Sequence, residues 1–536
     1  MHSYIGQRSD GPGFPADWRR KIEVAVTELL TEAVANPAGT MSPSVYETAR
    51  LVRTAPWLDG HSARCDFLLR TQRPDGWWGQ PDGYDLVPTL SATEALLHEL
   101  DQPAVDSGRP PTARIARAAL QGLWALSDRL RADRLAAMPD TIAAELIVPW
   151  LIDELNDRLA TTGGRLGATE VHVPDGVDRQ PLERLRAAAA GERPLPEKLW
   201  HALEVLGDQS PMAPGVRPVS GAVGSSPAAT AAWLTGRPMP KDLVAALTRT
   251  QERWGGPVPG VISIAVFERA WVLGWLLDAG VAPVIPEELT AYLEHSLDGS
   301  GAPAGPGLPS DSDDTAAVLH ALALAKRPVA TSALWTYEAD DYFLCFPGER
   351  TPSTSTNAHV LEALPATPNN EGVRHDAAVR KIQDWLLAMQ HPDGSWDDKW
   401  HASPYYATMC CAVALARGHR SATAQVVARA ARWTLETQRA DGSWGRWTGT
   451  TEETSYAVQT LLRAHPGDLP AEVSRAVADG CAHLLADQGD DFPPLWHDKD
   501  LYAPITVVKA ARLAALHAAA TRLAPTGTAA GHAFVR

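Results

Sequence analysis

The sequence predicts an all-α protein of helix pairs, of the kind that close into an α/α barrel. Helical periodicity runs through most of the chain, alternating stretches long enough for strands are scarce, and one helix–turn–helix signature recurs. In residues 17–34, Ile22, Val26, Leu29, Leu30 and Ala33 share one helix face. Residues 114–138 and 376–390 are patterned the same way. The signature is Gln-x-x-Asp-Gly-x-Trp, at Gln72–Gly79, Gln390–Asp397 and Gln438–Gly445, with a degenerate copy at Gln251–Gly256. Asp-Gly supplies a tight bend. The Trp covers a helix end, and the Gln can satisfy free backbone groups there. Trp77, Trp78, Trp396 and Trp444 are therefore expected to be structural. Such units bury their apolar faces only against neighbours, and a ring of pairs leaves no exposed end.

Two Pro/Gly/Ser-rich stretches, 207–230 and 298–310, read as loops, and the segment after Ala518 reads as a fraying tail. With 536 residues there is material for more than one core. A net charge of −16 disfavours a nucleic-acid partner. No apolar run reaches transmembrane length, and the first twenty residues lack a signal-like apolar core. The five cysteines show no C-x-x-C spacing. That fits a reducing compartment, and a cytoplasmic location is expected.

The stretch LPSDSDDTAAVLHALALA (Leu308–Ala325) carries Asp311, Asp313 and Asp314 at a helix start. Three readings are open. Ser310 and Asp313 have the spacing of a capping box, and Asp311 could itself cap. Clustered carboxylates suit magnesium. Carboxylates this close also repel, so in a desolvated cavity one can hold its proton and act as a general acid.

The companions of this stretch resemble a family. DSDDTA, together with the Gln-x-x-Asp-Gly-x-Trp turns, is similar to the class II terpene cyclases, in the diterpene branch of copalyl diphosphate synthase type. SPSVYETARLVR, AAELIVPWLIDEL, RPLPEKLWHALEVLG, SSPAATAAW, GGPVPGVISIAVFERAW, CFPGERTPSTSTNAH, DKWHASP and DKDLYAP resemble family segments in order, from about residue 42 to 507. The resemblance implies a β barrel formed by residues 1–39 and 291–536, with a γ barrel, 40–290, inserted after the first β helix. It implies protonation-initiated cyclisation of geranylgeranyl diphosphate to a bicyclic copalyl-type diphosphate, the ent isomer in the first instance, with magnesium as cofactor. Rearranged bicycles (halimadienyl or kolavenyl type) and drimenyl diphosphate are the alternatives within the family. The D-D-x-x-D motif of diphosphate ionisation is absent from ADDYF, WDDKW and GDDFP, so the product should keep its diphosphate.

By the same resemblance, Asp313 is the general acid, tuned by Asp311 and Asp314. Asn357 and Ser353 match the polar pair that hydrogen-bonds the acid. Glu145 matches the acidic magnesium position. Lys399 and Arg193 match the basic diphosphate positions, with Lys198 as a neighbour able to take the contact. His201 matches the histidine of the terminating His–Asn pair, while the Asn position falls on Gly260. Trp335, Phe346 and Tyr406 are candidate cavity aromatics. A protein prenyltransferase subunit, an α/α-barrel glycosidase and a non-enzymatic helical-repeat module are the rivals. A triterpene cyclase is disfavoured by the absence of a membrane-anchoring apolar segment.

Overall fold

The Gln-x-x-Asp-Gly-x-Trp turns are built alike. Gln72 Nε2 donates to the carbonyls of Gly76 and Ala118, Gln390 Nε2 to Gly394 and Val426, and Gln438 Nε2 to Gly442 and Ala476. Each glutamine thus ties its own turn to the next outer helix. The indoles of Trp78, Trp396 and Trp444 are fully buried and donate to Leu68, Leu386 and Thr434 in the preceding helix. At Gly442, φ is +83° and a Cβ would come 2.8 Å from the Asp479 carbonyl, so only glycine fits. Trp444→Ala is expected to cost about 3–5 kcal/mol and to lower the denaturation midpoint without shifting the product. Chemical denaturation alongside product analysis checks this.

The computed structural model describes residues 18–102, 110–131, 138–162, 170–174, 176–349, 351–366, 372–418, 421–487 and 489–523. Within them, the helices Ala265–Asp278, Ser312–Leu324, Thr354–Ala366, Pro404–Ala416, Thr451–Ala464 and Ile505–Leu523 form a ring. Each packs on the next and the last closes on the first. These helices are apolar almost all round, as expected of helices covered on every side. Outside them lie Trp18–Ala35, Glu287–Ser296, Val373–Met389, Ser421–Glu436 and Ala471–Ala486. The first half of the chain closes a smaller ring from Val45–Thr54, Leu86–Leu100, Ala144–Thr162, the 3-10 segment Glu197–Met212 and Pro227–Leu234.

The expected domain limit at 290 needs correction. Residues Val261–Val281 share one core with Ile22–Ala33 and with the C-terminal half, whereas the first-half core runs from Tyr46 to Ala229. Helix Ala265–Asp278 is a ring member of the second barrel, so the change of core falls near residue 260.

One element breaks the all-α pattern. Trp496–His497 pairs antiparallel with Leu501–Tyr502, and the turn between them, Asp498-Lys499-Asp500, enters the first barrel. Lys499, fully buried, donates to Glu47 (2.6 Å), Glu204 (2.7 Å) and Ser226 (2.9 Å). Asp500 accepts from the Ser44 hydroxyl (2.6 Å) and the Tyr46 amide (2.9 Å). No described helix is long and apolar enough to cross a membrane.

Candidate active site

Helix Ser312–Leu324 begins with Asp311 in an extended conformation, its carboxylate accepting from the Asp314 amide at 2.8 Å. The cap is thus Asp311, and the Ser310–Asp313 capping box does not form. The helix start is pinned by Ser312, whose amide donates to the Cys345 carbonyl (3.0 Å) and whose hydroxyl donates to the Leu344 carbonyl (2.6 Å). Capping uses Asp311 and burial takes Asp314, which leaves Asp313 to project from the first turn, its side chain 13% exposed.

Burial, joined by the charge of Asp313, lifts the Asp311 carboxyl to about 7. Burial and the charge of Asp311 hold Asp314 well above the usual carboxylate range. Asp311 is therefore largely uncharged below about pH 7.

Asp313 meets His359, whose Nδ1 lies 2.7 Å from Oδ1. Burial works against a charged His359, but the charge and hydrogen bond of Asp313 prevail, and its pKa is raised. The expectation that Asn357 and Ser353 hydrogen-bond the acid is overturned. Asn357 accepts from the Phe343 amide (2.8 Å) and donates to the carbonyls of Phe343 (3.0 Å) and Ser353 (2.9 Å). Ser353 donates to Asp398 (2.8 Å). Asn357 thus braces the 343–345 segment that pins Ser312, and reaches the acid only through backbone. His359 is two positions further along the helix, on a different face.

Aromatic rings surround this pair. Trp271 meets the His359 ring edge-on at 5.1 Å and donates to the Tyr406 hydroxyl at 3.2 Å. Trp496 packs on Phe267, His401 and Tyr406 at 4.7–5.1 Å. Trp335 lies instead under the Arg374 guanidinium (4.3 Å), and Phe346 beside Trp400 (6.2 Å). A cavity of about 40 Å³ is lined by Trp271, His320, His359 and Glu362.

His201 lies on the far side of the hairpin turn. Its Nδ1 is 2.7 Å from the Gly224 carbonyl and its Nε2 is 2.9 Å from Asp498 Oδ1. Both neighbours only accept hydrogen bonds, so both ring nitrogens carry protons. Burial and Lys499 disfavour that charge, but Asp498 outweighs them and the His201 pKa is raised. Both ring nitrogens are engaged, so neither is left to hold the water expected of the terminating His–Asn pair.

The expected charge contacts are spread over both barrels. Lys399 is nearly buried against Trp400 and paired with Glu349. Arg193 and Lys198 are exposed on the first barrel. Glu145 is exposed in the first turn of Ala144–Thr162. Among the described residues, the one His/Cys/Asp/Glu group of metal-ligand geometry is His61, Cys65 and Glu99, which excludes Glu145.

Residues 350–493 match the squalene-hopene cyclase C-terminal domain. The chain is 47% identical over 508 residues to the ent-copalyl diphosphate synthase of Streptomyces sp. KO-3988, covering 94% of this chain and 97% of that one. It is 41% identical to the labda-7,13-dienyl diphosphate synthase of Streptomyces clavuligerus, covering 94% of each. The solved ent-copalyl diphosphate synthase from Streptomyces platensis superposes with a TM-score of 0.87 at 48% identity, over 93% of this chain and 99% of that one.

This chain belongs to the class II diterpene cyclases.

In this cyclase the acid motif and the repeat turns were open to sequence reading. His359, Trp271, Trp496 and Asp498 belong to no such motif. The one signal for His359 is its place two residues after Asn357 in the segment STSTNAH, which already carried the resemblance.

Proposed function

We propose that the cyclase converts geranylgeranyl diphosphate to ent-copalyl diphosphate in the cytoplasm, with the diphosphate retained. The observation that carries this reading is Asp313 bonded to His359 at 2.7 Å beside an aromatic wall. Asp313 gives its proton to the terminal alkene. The His359 N–H stabilises the negative charge left on Oδ1, which makes the neutral carboxyl a stronger acid. Ring closure moves positive charge along the hydrocarbon. The faces of Trp271, Tyr406 and Trp496 attract it while excluding water.

Magnesium fits this chain as an ion carried in with the diphosphate. Glu145 offers a single exposed carboxylate, and Mg²⁺ keeps most of its waters and takes phosphate oxygens. When bound, the ion neutralises diphosphate charge, while Arg193, Lys198 and Lys399 supply the basic contacts. Glu145→Ala is expected to raise KM about tenfold, worth ~1.4 kcal/mol of binding, with kcat little changed. Steady-state kinetics across a magnesium titration checks it.

The flanking acid sets a pH limit. Asp311 is neutral below about 7 and ionised above it. That charge repels the anion formed as the acid gives up its proton to the alkene, so kcat falls as pH rises through that value. Asp311→Asn keeps the helix cap and should remove this limb from the pH–rate profile.

The deciding experiment incubates the protein with geranylgeranyl or farnesyl diphosphate plus magnesium. Products are dephosphorylated and identified by mass spectrometry against chiral standards. A bicyclic C20 alcohol of the ent series supports the reading. No consumption of either substrate rejects it.

A further inference from the structure

If both nitrogens of His201 are committed, some other group ends the reaction. The geometry points to its partner. Asp498 spends Oδ1 on His201, while its other carboxylate oxygen, Oδ2, is buried without any hydrogen-bond partner. A buried acceptor left unsatisfied is destabilising, and such exceptions ask for a reason. The oxygen is aimed at Gly260, where a Cβ built on the backbone would stand 2.1 Å from it. The carboxylate therefore occupies the place a side chain at position 260 would fill, which is where the resemblance put the missing asparagine. Glycine at 260 is what admits Asp498.

The hairpin holds this oxygen rigidly. The Asp498 amide is tied to the Asp500 carbonyl at 3.1 Å, and the Asp498 carbonyl accepts from the Ile142 amide at 3.0 Å. Trp496, on the first hairpin strand, packs on Tyr406 at 4.7 Å, and Tyr406 lies 6.4 Å from the His359 ring, so the hairpin borders the aromatic wall beside the acid. Burial disfavours the Asp498 carboxylate, but His201 and Lys499 outweigh it and keep the group ionised. A weak base is sufficient here, because a carbocation is a far stronger acid than any carboxyl group, and position decides which proton is lost.

We propose that Asp498 Oδ2 takes the final proton, with His201 and Gly260 as the positioning residues that aim it. A C–H bond next to the cationic carbon breaks, its electron pair becomes the new C=C bond, and the proton goes to Oδ2. Asp313 has lost one proton and Asp498 has gained one, so the conversion is a net isomerisation. Water resets both groups after release. The inference rests on the cyclase reading above.

The test compares wild type, Asp498→Asn, Gly260→Ala and His201→Gln with geranylgeranyl diphosphate and magnesium, scoring total consumption and product distribution separately. Asp498→Asn should keep consuming substrate within about tenfold of wild type. The native product should drop at least about 100-fold as a share, replaced by hydroxylated or rearranged bicyclic diphosphates. Gly260→Ala drives a methyl group against Oδ2 and should divert products in the same direction, and it stands alone if Asp498→Asn fails to fold. His201→Gln still offers a donor to Oδ1, so it should slow turnover yet keep the native product as the main one. Native product at the native share from Asp498→Asn, or from Gly260→Ala where that variant stands alone, overturns the inference while leaving the cyclase reading intact. A wild-type protein that consumes no substrate removes both.

Discussion

Asp313→Asn should lower turnover by about 1000-fold or more while leaving the fold intact. Asparagine keeps the shape of the side chain and still accepts from His359, but it has no acidic proton. Its neighbours cannot take over. Asp311 faces back onto the Asp314 amide as the helix cap, and Asp314 is buried. Single-turnover consumption of geranylgeranyl diphosphate, with circular dichroism as the fold control, measures the loss. Wild-type consumption by this variant would remove Asp313 from the first step. His359→Phe should be the milder companion, since the acid then keeps its proton but loses the donor that stabilises its anion.

The second large effect is on stability. Lys499 is fully buried and neutralises Glu47 and Glu204, themselves buried, from across the barrel boundary. Burial, opposed by Lys499, still leaves Glu47 lifted to about 7. Lys499→Met keeps the bulk of the side chain but leaves two carboxylates without their counterion. Breaking a buried pair from one side costs about 3–5 kcal/mol, which for a chain of this size lowers Tm by about 3–4 °C. The deficit should shrink at lower pH, because Glu47 can then be neutral at less cost. Thermal melts at pH 5 and 8 test both parts: the gap between variant and wild type should widen at pH 8.

Legibility in the sequence followed locality. The repeat turns were readable because glutamine, glycine and tryptophan act within one turn and its adjoining helices. Asp311, Asp313 and Asp314 were readable as a cluster because they are neighbours in the chain. The partner of the acid was not, because His359 lies 46 residues away on a buried helix where a lone histidine has no pattern of its own. Asn357 was in the right segment, but a side chain two positions away looks elsewhere, and the backbone of Phe343 claims it. Helix Ala265–Asp278 was assigned to the wrong barrel because an apolar helix reads the same whichever core it enters. Asp498-Lys499-Asp500 enters the sequence reading only within the resembling segment DKDLYAP. Strands of two residues carry no alternation, and the partners Ser44, Glu47, His201, Glu204 and Ser226 all lie more than 270 residues upstream.

That hairpin also orders events during synthesis. Helix Trp18–Ala35 is made before the smaller barrel, yet it packs into the barrel that begins near residue 261. At ~5–20 residues per second it waits roughly 10–50 s for its partners. The smaller barrel, made in between, closes around Glu47 and Glu204 before Lys499 exists, and receives its counterion only once Lys499, 295 residues after Glu204, has been translated. Neither barrel is a finished product of its own stretch of message. Splitting the gene near codon 260 should yield two poorly soluble fragments, and exchanging one half with a relative should succeed only when the hairpin and its receptor residues are exchanged together.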